Sequence, residues 1–200
     1  MDAVRIVGNI IFSVKYAKTS NDFFTEVFLQ WNDPEYIHNY VNKNKRFLEN
    51  NLFFQGYTLQ EIKTAIIEEA LNFRTTFYEL IKNSLQNQVP GLEHRFVVLS
   101  SSKKPPDVRR KMYGHEEDPS RMVSVLRLYA IRLPSNKSEE LPAYLIIGGA
   151  IKFTDNMFQM KNTNYILSRF QSVQAWLKRV KITYKEDLIQ YIDNHEQHND

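Results

Sequence analysis

The stretch MVSVLRLYAIRLPSNKSEELPAYLIIGGAIKFT, from Met122 to Thr154, decides the fold. Its two apolar runs, 122–133 and 144–153, are rich in β-branched and aromatic residues and flank a polar loop, which predicts two strands. The loop is too short to carry the chain back over a sheet through a helix, so the strands pair antiparallel. Alternation sets Val123, Val125, Arg127, Tyr129, Ile131 and Leu133 on one face, and Ser124, Leu126, Leu128, Ala130 and Arg132 on the other. Both faces are mostly apolar. The pair is therefore either covered on two sides, or has one core face and one partner-binding face.

Three cations interrupt these strands: Arg127, Arg132 and Lys152. Arg127 stands in mid-strand among Val125, Tyr129 and Ile131, where an unpaired buried charge would be costly. It requires a carboxylate partner, an open groove or an anionic ligand. A long side chain that carries its charge out to solvent also satisfies the pattern. Gly148-Gly149 weakens the second strand, and a β-bulge there explains both residues. A bulge shifts the faces beyond it, so counting alone does not set Lys152 beside Arg127.

Outward from this pair, RIVGNIIFSVKYA predicts a first strand or hairpin. In NDFFTEVFLQW the spacing of Phe23, Val27 and Trp31 fits a helix face, although the segment is ambiguous. Asp33 and Pro34 open a helix bearing Ile37, Tyr40, Val41 and Leu48. Thr58 and Glu61 form a capping box for the longest helix, Thr58–Gln86, with Leu59, Ile62, Ile66, Ala70, Phe73, Phe77 and Leu80 on one side. RFVVLSS reads as a short strand, and KKPPDVRRKMYGHEEDPSR as a polar connection. A helix over Asn164–Lys178 and a last one capped by Thr183 and Glu186 follow. The expected fold is α+β, an antiparallel sheet of about four strands flanked by helices. The expected organisation is a strand and helical extension over 1–90, a sheet-and-helix core over 91–182, and an acidic helix and tail over 183–200.

The charge is uneven. Residues 91–182 hold sixteen Lys and Arg against eight Asp and Glu, while 183–200 hold one against five. A basic middle suits a polyanionic partner or a solvated surface. There is no cysteine, so disulfide and thiolate chemistry are excluded. No apolar run approaches the length of a membrane span, and the start MDAVRIVGNIIFSVKYAK does not resemble a secretion signal. A cytoplasmic protein is expected. No cofactor motif is present: IIGGA lacks the spacing of a phosphate loop. The histidines His94, His115, His195 and His198 do not form a ligand pattern, so no metal is expected. Glu68 and Glu69 are adjacent on a helix and point different ways, so they are not read as an acid/base pair. No helix-turn-helix with a basic recognition helix is visible.

LRLYAIRL and YLIIGGAIKFT resemble the final antiparallel strands of the RelE/HigB-like toxin superfamily, including its phage-derived branch. The likeness covers roughly residues 92–180, and the longer pattern is similar to an extended branch of Bacteroidetes type. It implies a RelE-like core with an N-terminal helical extension. It also implies a metal-independent endoribonuclease that cuts mRNA, commonly on the ribosome, and is silenced by a cognate helix-turn-helix antitoxin. Carried over, Arg127 acts on the scissile phosphate, Lys152 matches the lysine near the end of the last strand, and Tyr129 is a base-stacking or proton-transfer group. Arg109, Arg110 and Lys111 match the family's basic region loosely; by charge, Lys103 and Lys104 join them in a rim expected to bind RNA, with Arg132 as a further RNA-binding candidate. Arg suits this chemistry because its planar fork grips two phosphate oxygens. Many superfamily members carry a doubled lysine where this chain has IKFT, and the front end here is much longer. The alternative is a non-catalytic binding or regulatory protein of the same fold, with an oligomeric state that the sequence does not reveal.

Overall fold

The computed structural model describes residues 1–17, 19–99, 108–115, 122–154 and 160–196. Strands β1 (Asp2–Val7) and β2 (Ile11–Lys15) pair antiparallel as a hairpin, one of the two forms expected for this segment. Helix α1 (Phe23–Trp31) follows, its N-terminal amides of Phe24 and Thr25 capped by the Asp22 carboxylate. Asp33 caps α2 (Pro34–Lys43), with Pro34 in its first turn. After α3 (Lys45–Glu49) and a 3-10 turn, the Thr58–Glu61 capping box starts α4 (Leu59–Leu85). Short α5 (Leu92–Arg95) leads into β3 (Val97–Val98), β4 (Arg109–Tyr113), β5 (Leu126–Leu133) and β6 (Ala143–Ile151). Helices α6 (Lys161–Arg179) and α7 (Lys185–Glu196) complete the chain.

The fold is α+β, and its sheet is larger than expected: six strands in the order β1-β2-β6-β5-β4-β3. It is also mixed. β5 and β6 pair antiparallel as their sequence requires, but β2 pairs parallel with β6, Ile11 opposite Tyr144 and Ser13 opposite Ile146. The reason lies in β2 itself. Ile11, Phe12, Ser13 and Val14 are all fully buried, and a strand apolar on both faces belongs inside a sheet rather than at its margin. The sheet thus runs across residue 90, joining β1 and β2 to the strands of the later half. The second departure is β4. RRKMY was expected to lie in a polar connection, yet it pairs with β5 from Arg109–Ile131 to Tyr113–Arg127. Only Met112 in β4 is fully buried, so an apolar pattern could not announce this strand.

Both faces of the sheet are covered, as the β5–β6 pattern allows. Leu126, Leu128, Ala130, Tyr144 and Ile146 pack with Ile66, Phe73 and Phe77 of α4 and with Trp31 of α1. Tyr129, Ile131, Leu145 and Ile147 pack with Phe170 and Val173 of α6 and Leu188 of α7. Helix α6 begins three residues before the expected Asn164. The last helix is not held by a Thr183–Glu186 box. Asp187 accepts the Thr183 and Tyr184 amides at 2.8 Å, while Glu186 turns away to Ser135 and the Asn136 amide.

The expected bulge is present. Tyr129 faces Gly148 and Ala130 faces Ile146, leaving Ile147 as the extra residue of β6. Gly148 takes φ +141, a region that favours glycine, and the Arg169 guanidinium occupies the space a side chain would need. Gly149 lies against the opposite layer. A methyl group there would meet the Trp31 indole at 2.6 Å and Val27 at 2.7 Å. Gly149→Ala is therefore expected to overpack this contact and cost about 1–3 kcal/mol. Urea denaturation followed by tryptophan fluorescence checks this; an unchanged midpoint would contradict it.

Candidate functional site

Arg127 begins from β5, where it faces Ala150 of β6 on one side and Tyr113 of β4 on the other. Its guanidinium lies over the Tyr113 ring, 3.9 Å from the centroid. Nη1 donates to Ser124 Oγ at 3.1 Å and to the Leu126 carbonyl at 2.8 Å. Ser124 Oγ also accepts the Gly114 amide at 2.9 Å and donates to Glu69 Oε1 at 2.5 Å. Glu69 in turn accepts the amides of Val125 (3.2 Å) and Leu126 (3.3 Å). One buried carboxylate on α4 thus organises the start of β5, and one serine links it to Arg127.

Glu69 was not expected in a site, but its spacing carried the signal. It falls on the same helical stripe as Ile62, Ile66 and Phe73, three or four residues from its neighbours there, and is 7% exposed. A carboxylate on a core stripe requires bonded partners. Glu68, one residue away, is exposed and points elsewhere, as expected for adjacent helical positions. Burial pushes the Glu69 carboxyl up, against the Ser124 and Val125 hydrogen bonds and the charges of His115 and Arg127. Burial lowers the Arg127 value from its usual one, opposed by Tyr129, Tyr113 and Glu69. Gly114 is required here by close approach, because a methyl group on it would collide with the Glu69 carboxylate.

The remaining candidates separate into groups. Lys111 Nζ lies 5.1 Å from the Tyr113 ring centroid, so both Lys111 and Arg127 attend that ring. Arg109, Lys111 and Tyr113 alternate along β4 on the face that carries Arg127. Arg110 is directed to the other face, in the field of Glu93. Arg132 lies there too, engaged by the Glu93 carboxylate through Nε (3.0 and 3.2 Å) and Nη2 (3.2 Å). Tyr144 also donates to Glu93. Burial would raise the Glu93 carboxyl, but the Arg132 and Tyr144 bonds and the Arg132 and Arg110 charges hold it below the usual range. Arg132 is thus engaged in an ion pair with Glu93.

Tyr129 is 1% exposed, its ring edge-on to Phe170, so base stacking is closed to it. Burial also pushes its hydroxyl well above the usual tyrosine range, which does not suit proton transfer near neutrality. Lys152 follows β6 directly, and its amide donates to the Val125 carbonyl, one diagonal from Arg127 across the strand pair. Lys103 and Lys104 lie outside the described residues. Among the described residues no group of three or more His, Asp or Glu gathers as a metal site, and no helix is long and apolar enough to cross a membrane.

Compared with known proteins, the chain matches no family model, no curated protein and no solved structure. The likeness of its last strands to the RelE/HigB-like toxins gains no support from these comparisons.

Two outcomes follow from the Glu69 geometry. Ser124→Ala removes the hydroxyl that donates to buried Glu69, while the Gly114 amide keeps the Leu126 carbonyl at 3.2 Å; it is expected to cost about 1–3 kcal/mol, measured by urea denaturation. The Glu69 carboxyl has a folded pKa above its unfolded value. Its pH-dependent contribution is therefore full below the ordinary glutamate value of 4.5 and is lost as pH rises through the folded one. The Tm difference between wild type and Glu69→Ala should shrink from pH 4 upward; a difference that grows with pH would contradict the assignment.

Proposed function

We propose that this protein binds single-stranded RNA, free or exposed on a ribonucleoprotein such as the ribosome, through the β4–β5 face bearing Arg127, Tyr113, Lys111 and Arg109. The observation that carries this reading is the state of Arg127. One amino group is anchored to Ser124 and the Leu126 carbonyl, and the ring of Tyr113 supports its plane. Nε and Nη2 make no hydrogen bond among the described residues, which leaves one edge of a pre-positioned fork for phosphate oxygens. Lys111 on the same tyrosine adds charge. This is the non-catalytic alternative raised by the sequence.

A second reading, that the same face cleaves the RNA it holds, is favoured by one observation: His115 and Arg127 both lie within electrostatic reach of buried Glu69. Transesterification needs charge stabilisation at phosphate and a proton-transfer group, and this cluster holds residue types for both. A cognate helix-turn-helix antitoxin is the partner that this second reading carries.

The test is fluorescence anisotropy with an unstructured RNA oligonucleotide from low to moderate salt. Affinity should fall steeply with salt, and Lys111→Ala and Arg109→Ala should each reduce the slope. Tyr113→Ala should weaken binding about tenfold, because Arg127 loses the ring that supports its plane. No binding at low salt, or variants indistinguishable from wild type, would overturn the proposal. Gel analysis of the same RNA, with and without ribosomes, separates the readings. Intact RNA supports binding alone; cleavage that Arg127→Ala abolishes supports the ribonuclease.

A further inference from the structure

A second groove lies between α2 and the first turns of α6, away from β4. It has a volume of about 600 Å³ and is lined by Tyr36, Tyr40, Lys43, Lys161, Asn162 and Tyr165 among others. Its walls are aromatic and held in place. Tyr36 and Tyr40 stack along α2, 6.1 Å between centroids with their planes 23° apart. The Tyr40 hydroxyl donates to the Ile151 carbonyl at 2.8 Å, and Asn162 donates to the same oxygen at 2.9 Å, so the end of β6 forms the anchor. Opposite, Tyr165 is 52% exposed and is braced from behind by Arg169, whose guanidinium carbon lies 4.6 Å from the ring centroid. Arg169 is itself fixed over Phe23 at 3.8 Å, bonded to the Ile147 carbonyl, in the space opened by Gly148. The bulge in β6 therefore sets the position of one groove wall.

The charge in the groove is one-sided. Lys43 and Lys161 have no carboxylate partner among the described residues. Glu26 is near Tyr36, at the other end of α2. Seven residues separate Tyr36 from Lys43, roughly 10 Å along a helix, comparable to the length of a nucleoside phosphate. An aromatic portion would lie against the tyrosines near Tyr36, and a phosphate would lie toward Lys43 and Lys161. Aromatic faces bind nucleobases without sequence preference, and lysines supply the point charges phosphate takes. We infer that this groove binds a nucleoside monophosphate, with its base against Tyr165 and Tyr36 and its phosphate between Lys43 and Lys161. The inference is independent of the RNA-binding proposal, because it uses different residues.

Isothermal titration calorimetry of the full chain with adenosine 5′-monophosphate tests it. Binding in the submillimolar range is expected, weakened about tenfold or more by Tyr165→Ala and by Lys161→Ala. Tyr165→Phe, which keeps the ring, should retain binding, as should Lys111→Ala on the β4 face. Both Tyr165 and Lys161 are exposed, so the variants should fold, and a far-ultraviolet spectrum matching wild type checks this. Adenosine and inorganic phosphate should each bind at least tenfold more weakly than the nucleotide. No heat of binding at millimolar nucleotide, equal affinity for phosphate alone or adenosine alone, or variants that bind as wild type does would each overturn the inference.

Discussion

A single carboxylate on the core side of α4 constrains much of this molecule. Glu69 cannot be buried without donors, and the chain meets that requirement with Ser124 Oγ and the amides that open β5. Three consequences follow. The long helix is tied in register to the middle of the sheet. Gly114 must lack a side chain, so that the turn after β4 can pass the carboxylate. Ser124 is oriented to accept from Arg127, so a cation in mid-strand is held at a distance from its counter-charge by one hydroxyl. The sequence left open whether Arg127 needs a carboxylate or an anionic ligand. The geometry accommodates both, since the anchored amino group serves the fold and the opposite edge of the fork is left over.

The glycines of β6 carry a second constraint. With both faces of the sheet covered, the central strand must pass close to α1 on one side and α6 on the other. Gly149 admits the Trp31 indole, and Gly148 admits the Arg169 guanidinium. The bulge at Ile147 also resets the alternation, bringing Ala150 opposite Arg127. Replacing Gly148 would disturb Arg169 and with it the Tyr165 wall of the groove, so stability and groove geometry are linked through this one irregular strand.

Features that depend on burial pattern were legible in the sequence. The β5–β6 pair, its bulge, the first hairpin and the capped starts of α2 and α4 follow from alternation, glycine placement and side-chain caps. Features that depend on what lies next to a segment were not. β4 is a strand because β5 offers it an edge, while its own residues are cations with only Met112 in the core. The parallel pairing of β2 with β6 joins segments more than 130 residues apart, and no local signal encodes it. At the site, Arg127 stood out as a charge in an apolar run, but its partner lay on a helix whose paired glutamates, taken by position alone, looked unrelated to it. Arg132 and Tyr129 were attractive by residue type and are engaged within the fold, one by Glu93 and one by the core.

The functional account rests on Arg127 being positioned through Ser124 by the Glu69 charge. That coupling has a direct measure: a double-mutant cycle on stability using Glu69→Ala, Arg127→Ala and the double variant. Residues joined in one hydrogen-bonded network typically show interaction energies of about 0.5–3 kcal/mol. The account predicts a coupling in that range, favourable in sign, which disappears when the cycle is repeated in a Ser124→Ala background. Additive effects within about 0.3 kcal/mol in the wild-type background would contradict it, leaving Arg127 as a surface cation that merely lies near a buried carboxylate.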